Sequence, residues 1–336
     1  VTNTFNENGR LTSRTAPNGA VTTYAHHPTL TDKVVSSTDP SGTVTMTYDA
    51  NGNLLGVTDQ IGATTTYTVD AHGNRTSKTD ALGNTTQYQY NQLGQLVKVV
   101  DALGGSTDYA YDSANNPVTV STPLGLTTSF EYNFRGQVTK TTLPDGSTLE
   151  FSFDQNGNRT SVKNENGAVT QLVYDQKDRL IQTVNPLGGT TSREFDPAGN
   201  VVKTIDELGN ATTMAYDSQN RLISTTDAEN NVVSRTYNGF GWTTSTTNAY
   251  GTTSYQHDIS GNVTATTYPD GAVRQAAFDI LNRRVSTTDE LGRTSTFTYS
   301  ARGELLTATN PLGVVSSFLY DLNGNQVQSV RDVNGV

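Results

Sequence analysis

Residues 64–83 read TTTYTVDAHGNRTSKTDALG and hold one complete structural unit. Thr64, Thr66 and Thr68 alternate with Thr65, Tyr67 and Val69, a period of two that belongs to a strand. Asp70-Ala71-His72-Gly73 then breaks the alternation, and the glycine falls where a type I turn followed by a bulge needs positive φ. After a second short strand the chain turns again at Asp80-Ala81-Leu82-Gly83. Each such unit reads as a β-hairpin.

The aromatic-Asp/Asn step that precedes the first turn recurs every 21 residues. It runs from Tyr48-Asp49 through Val69-Asp70, Tyr90-Asn91, Tyr111-Asp112, Tyr132-Asn133, Phe153-Asp154, Tyr174-Asp175, Phe195-Asp196, Tyr216-Asp217 and Tyr237-Asn238. One step of 20 leads to His257-Asp258, and the register resumes at Phe278-Asp279, Tyr299-Ser300 and Tyr320-Asp321. Phe5-Asn6 and a degenerate His26-His27 precede it, with an irregular unit near residues 20–47. Sixteen units result, each too small to bury its own apolar face. The glycine follows the aromatic by four residues, as at Gly52 and Gly73. Where it is missing, Asn115, Asp178, Asn220 and Asn282 replace it, the residue types that best tolerate the left-handed region.

Composition points the same way. Of 336 residues 33% are hydrophobic, too few for a thick multilayer core, while charged residues at 16% and strictly placed aromatics argue against disorder. Nothing marks a domain boundary, so residues 1–336 read as a single array. The net charge of −10 repels phosphate backbones and anionic lipid, which argues against nucleic acid as a partner. The chain has no cysteine, hence no disulfide framework or thiolate metal site. No apolar run is long enough for a membrane-spanning helix, and no basic-then-apolar leader precedes Val1. The start at Val1 and the stop inside the register at Asp332-Val333-Asn334-Gly335-Val336 suggest a segment of a longer protein.

The fold class expected is all-β: about 32 short strands in an antiparallel meander, with no helix longer than two turns between residues 48 and 320. Pairs such as Tyr88 and Tyr90, Tyr109 and Tyr111, Phe130 and Tyr132, or Phe151 and Phe153 lie two apart, so they share a face and form aromatic rows. At a strand spacing of about 4.8 Å, 32 strands would span roughly 150 Å if flat, and sheets beyond about ten strands curl. A curling meander walls off a hollow.

The unit Tyr-Asp-x-x-Gly-(Arg/Asn)-Leu resembles that of the Rhs, or YD-repeat, family. Tyr48-Asp49-Ala50-Asn51-Gly52-Asn53-Leu54, Tyr174-Asp175-Gln176-Lys177-Asp178-Arg179-Leu180 and Tyr216-Asp217-Ser218-Gln219-Asn220-Arg221-Leu222 carry it, and the resemblance covers essentially the whole chain. It implies hairpins spiralling into a β-cocoon, which in bacterial members encloses a C-terminal toxin and in teneurins serves adhesion. The implied partners are a C-terminal toxin cargo, flanking shell segments and a secretion or delivery component. The implied location is secreted or cell-surface delivered. Bacterial members carry a self-cleaving Asp-Pro-x-Gly segment after the repeats; Asp196-Pro197-Ala198-Gly199 sits in the ordinary turn register instead, so it receives a hairpin role.

Other chemistry finds little footing. Asp49-Ala50-Asn51-Gly52-Asn53 and its equivalents lack the sixth-position Gly and twelfth-position Glu of a calcium loop. His26-His27 reads as a repeat defect rather than a metal site, and Trp242 beside Phe240 as packing rather than a sugar platform. No Gly-x-Ser-x-Gly elbow is present. No catalytic residue, cofactor or metal is expected. The leading function is a structural shell segment of an Rhs-type toxin, and the alternative a cell-surface adhesion or carbohydrate-binding module.

Overall fold

The computed structural model describes residues 1–332; the reading of residues 333–336 as an uncapped end lies outside the described residues. The protein is all-β, with 32 strands from Thr2–Phe5 to Gln326–Arg331 and no helix among the described residues. Two compact units divide it: Val1–Tyr88 with Thr253–Val336, and Gln89–Thr252. Within each, strands pair antiparallel with their chain neighbours, as Thr64–Val69 does with Leu54–Thr58 before it and Arg75–Thr79 after it.

The hairpin of residues 64–79 explains the rest. Its register runs Thr66↔Thr79, Tyr67↔Lys78, Thr68↔Ser77, then slips so that Val69 faces Arg75. That slip makes Thr76 an extra residue in the second strand, and it is separate from the turn, because the next turn has the same glycine geometry and its strands pair Thr79 with Thr85 without a slip. Gly73 has φ of 85°, its amide donates to the Asp70 carbonyl at 3.1 Å, and the Asp70 amide donates to the Asn74 carbonyl at 2.9 Å. The second turn uses the same geometry: Gly83 donates to Asp80 and Asp80 to Asn84, both at 3.0 Å. Asn115, Asp178, Asn220 and Asn282 hold φ between 59° and 69°. Asn230, in a second turn, does the same at 65° and was missed in the sequence.

The irregular unit adds two residues at one turn and removes one at the other. The turn that should close in four residues instead runs from the His27 amide to the Lys33 carbonyl. The following turn is tightened, so that Asp39 pairs directly with Gly42, whose φ is 136°. The net gain is the spacing of 22 between His26 and Tyr48. The step of 20 further on has the same origin: strand Thr243–Asn248 ends just before Gly251, with φ of 122°.

Alternation gives the hairpins two unlike faces. Tyr67 and Val69 are half-buried while Thr64, Thr66 and Thr68 are exposed. The exposed face carries hydroxyl ladders, such as Thr68 Oγ1 to Ser77 Oγ at 2.6 Å and Thr79 Oγ1 to Thr85 Oγ1 at 2.8 Å. Cross-strand ion pairs join it, including Lys140–Glu131 at 3.1 Å and Lys163–Glu150 at 3.2 Å. Such exposed pairs set register more than stability. Among the described residues a core is almost absent, and the one buried hydrophobic residue is Ala63. The accessible surface of 20206 Å² compares with the ~13,000 Å² of a compact chain of this mass. The aromatic face is therefore shielded by its own neighbours rather than by a second layer.

Turn geometry should dominate local stability. Gly73→Val places a β-branched residue at positive φ, with its Cβ 3.1 Å from Asn53 Oδ1, and should cost about 2–3 kcal/mol. Asp70→Ala forfeits only a cap-like set of exposed bonds and should cost less. Denaturant midpoints should fall further for the glycine variant, and the reverse order would refute the turn assignment.

Candidate functional site

The repeat residues meet at the turn-bearing margins of the hairpins. Seven tyrosines of the aromatic-Asp step end their strands and send their hydroxyls across to the neighbouring strand, 14 residues back in the chain for Tyr48 and 15 for the others. Tyr48 donates to Val34 O, Tyr111 to Leu96 O, Tyr132 to Pro117 O and Tyr216 to Val201 O, at 2.6–3.0 Å. Tyr237, Tyr299 and Tyr320 repeat this toward Leu222, Arg284 and Leu305. His26 takes the tyrosine's part, its Nε2 lying 2.8 Å from Leu11 O, and His27 takes the aspartate's, its Nδ1 accepting from the Leu30 amide at 3.0 Å. The dipeptide is thus a working variant of the repeat. Its cost is a buried His26 Nδ1 with no partner.

Each turn's carboxylate is consumed by its own backbone. Asp49 Oδ1 accepts from the Asn51 and Asn53 amides, both at 2.9 Å, and Oδ2 from Asn53 Nδ2 at 2.8 Å. Asp70, with His72 and Asn74, does likewise, as does Asp321 with Asn323 and Asn325. The oxygens a calcium loop would offer are therefore already engaged. Asp196 accepts from the Asn200 amide, which places the Asp-Pro-Ala-Gly segment in an ordinary turn.

The residue just after the turn's left-handed position ties one hairpin to the next. Asn158, Asn200 and Asn262 donate to Asp178, Asn220 and Asn282 of the following turn, at 2.6–2.9 Å. Arginine at this position does more. Arg179 binds Asp175 on its own turn, reaches the Asp196 carbonyl on the next and lies 4.4 Å over the Phe195 ring. Arg221 and Arg283 act alike on Tyr237 and Tyr299. Trp242 occupies the same position, its amide on Asn238 Oδ1, and stacks on Phe240 with centroids 5.0 Å apart.

Within the first unit, two stretches of chain meet turn to turn. Arg302 pairs with Asp59, and Asn323 Nδ2 donates to Asp80 Oδ2 at 2.8 Å, in both cases 243 residues apart. Asn18 Nδ2 donates to Ile280 O at 2.8 Å. Second turns of the early hairpins thus lie against first turns of the late ones. A polar cleft lined by Asp59, Asp80, Arg302 and Asn323 marks the seam. Exposure registers the contact. Ile61 and Leu82 on the seam are 46% and 48% exposed, whereas their equivalents Leu103 and Leu187 are 98% and 96% exposed.

These features define an antiparallel array of YD hairpins, and comparison bears this out. The Teneurin YD-shell family model matches residues 22–148 and 125–186, and the RHS Repeat model matches 195–232, 237–273, 279–315 and 299–336. The chain belongs to the Rhs/YD-repeat family. Among solved structures, a Photorhabdus luminescens Tc holotoxin pore with mutated TccC3 aligns at TM-score 0.80 and 15% identity, over 98% of this chain and 21% of that one. A TcdB2-TccC3-TEV structure aligns at 0.79 and 15%, over 98% and 22%, and TcdB2-TccC3 without its hypervariable C-terminal region at 0.76 and 14%, over 98% and 23%. At such identities the likeness is one of fold, and the chain spans about a fifth of their length. Curated proteins give no match. No helix among the described residues is long and apolar enough to cross a membrane.

The bonded carboxylates imply acid sensitivity. The Arg179 side chain, opposed by burial and helped by the Arg179 and Lys177 amides, lowers Asp175 from 3.8 to about 2. Asp70 is held low first by the Asn74 side chain, and Asp206 by that of Asn210. Burial pulls Asp59 upward, yet Arg302 and the Ala63 and Ile61 amides outweigh it and keep it low. A depressed folded value stabilises above the unfolded pKa and loses that effect as pH falls through the folded one. Denaturant midpoints should hold steady near neutrality and drop between about pH 4 and pH 2. A flat profile to pH 2 would contradict the turn hydrogen bonding.

Proposed function

We propose that residues 1–336 form one continuous array within the wall of a bacterial Rhs-type toxin shell, which encloses a C-terminal toxic polypeptide and helps deliver it. The observation that carries this reading is the seam in the first unit. Hairpins that lay second turns against first turns at a 243-residue offset make an extended wall from a strip one hairpin wide. The nearly bare Leu103, Leu124, Leu187 and Leu208 support a further row of turns lying against them in the complete protein, since Ile61 and Leu82 are the equivalents covered at the seam. The role is structural rather than enzymatic. Confinement keeps an incompletely folded cargo from protease and from premature contact with other proteins. Such a shell belongs to a secreted or surface-delivered particle and takes a delivery component as partner.

The test uses the full-length polypeptide with its cargo. The cargo should resist protease in the intact protein, and Leu103→Glu with Leu187→Glu should expose it, while solution scattering reports a hollow particle. Cargo digested as fast in the intact protein as when free, or scattering from a solid globule, would overturn the shell and favour adhesion.

A further inference from the structure

In the second unit an apolar cleft of about 350 Å³ opens on the aromatic face, lined by Phe130, Val138, Thr141, Phe151, Phe153 and Arg159. All six fall on one face by register: Phe130 opposes Thr141, Phe151 follows in the next strand, and Phe153 opposes Arg159 across the bulge. Phe153 is a repeat position that carries Tyr in most units. At 132 and 216 the hydroxyl crosses to the carbonyl 15 residues back; the residue in that relation to Phe153 is Val138, which lines the cleft. Phenylalanine leaves that span unbridged.

Arginine stands opposite the aromatic position at 75, 159 and 284, where the aromatic position holds Val69, Phe153 and Phe278. Arg75 and Arg159 lie over the ring two residues before the aromatic position, Tyr67 and Phe151, and Arg284 lies over Phe297. Arg159 lies 5.2 Å over the Phe151 ring and, among the described residues, forms no ion pair with a carboxylate. A guanidinium over the Phe151 ring, with no ion pair of its own among the described residues and other phenylalanine rings beside it, attracts an anion whose remainder is apolar. The volume lies near the lower end of small-molecule sites, which begin at about 300 Å³.

We propose that this cleft is a binding site for a small apolar carboxylate, an aryl or branched alkyl acid, with its ring or chain among Phe130, Phe151 and Phe153 and its carboxylate on Arg159. This goes beyond the shell reading and does not depend on it.

The purified chain would be titrated with 4-phenylbutyrate and with the neutral 4-phenylbutanol, followed by ligand-observed NMR. The acid should bind about tenfold more tightly than the alcohol and weaken as salt is raised. Arg159→Gln should bring the acid down to the alcohol's affinity, and Phe151→Ala should weaken both. Arg284→Gln, which removes an arginine over Phe297 elsewhere, should change neither. Equal binding of acid and alcohol by the unaltered chain, acid binding that survives Arg159→Gln, or an equal loss in Arg284→Gln would each overturn the proposal.

Discussion

Positive φ at the fourth residue of each turn is the constraint from which the rest of this structure follows. It closes the turn on the aspartate carbonyl, and the register slip beside the first turn decides which residue of the next strand faces the preceding aromatic. With that pairing fixed, a tyrosine at the strand end sits where its hydroxyl meets the carbonyl 15 residues back. The residue after the turn is placed beside the next turn, where asparagine or arginine can cross. A β-branched side chain at one such position would disturb the turn and two lateral links together.

A sheet without a second layer draws its cohesion sideways. The half-buried aromatic face is shielded by rings and guanidinium groups of adjacent hairpins, and the exposed face by hydroxyl ladders and ion pairs that individually count for little. The repetition matters more than any one bond, because each hairpin is supported by the hairpin before it and supports the one after. Acidic residues outnumber basic ones by 32 to 22, yet turn carboxylates such as Asp70 and Asp154 face amide donors rather than one another. The net negative charge thus coexists with locally satisfied turns.

The fold was legible because its information is periodic. The recurrence from Tyr48 to Tyr320 and the replacement of Gly by Asn115 or Asp178 both report backbone conformation, which sequence spacing encodes directly. Asn230 escaped notice because its turn lacks the Leu-Gly ending of its equivalents. The expectation of aromatic rows had the face right and the partners incomplete: the tyrosine hydroxyls go to carbonyls, and several rings lie under arginines. Only the register slip reveals those partners. The pairing of Asp59 with Arg302 was out of reach for another reason, since a contact spanning 243 residues depends on twist accumulated over many hairpins, and no local motif records it.

The tyrosine latch has a direction. Every hydroxyl described above points toward the N-terminus, from a hairpin to the strand before it, and never waits on residues still to come. Strand partners are equally near in sequence, so contact order is low along the strip and closure entropy stays small. Such a chain can assemble vectorially as it leaves the ribosome, each new hairpin docking on a template already in place. The contact between residues 59 and 302 then forms late, only after the intervening hairpins exist.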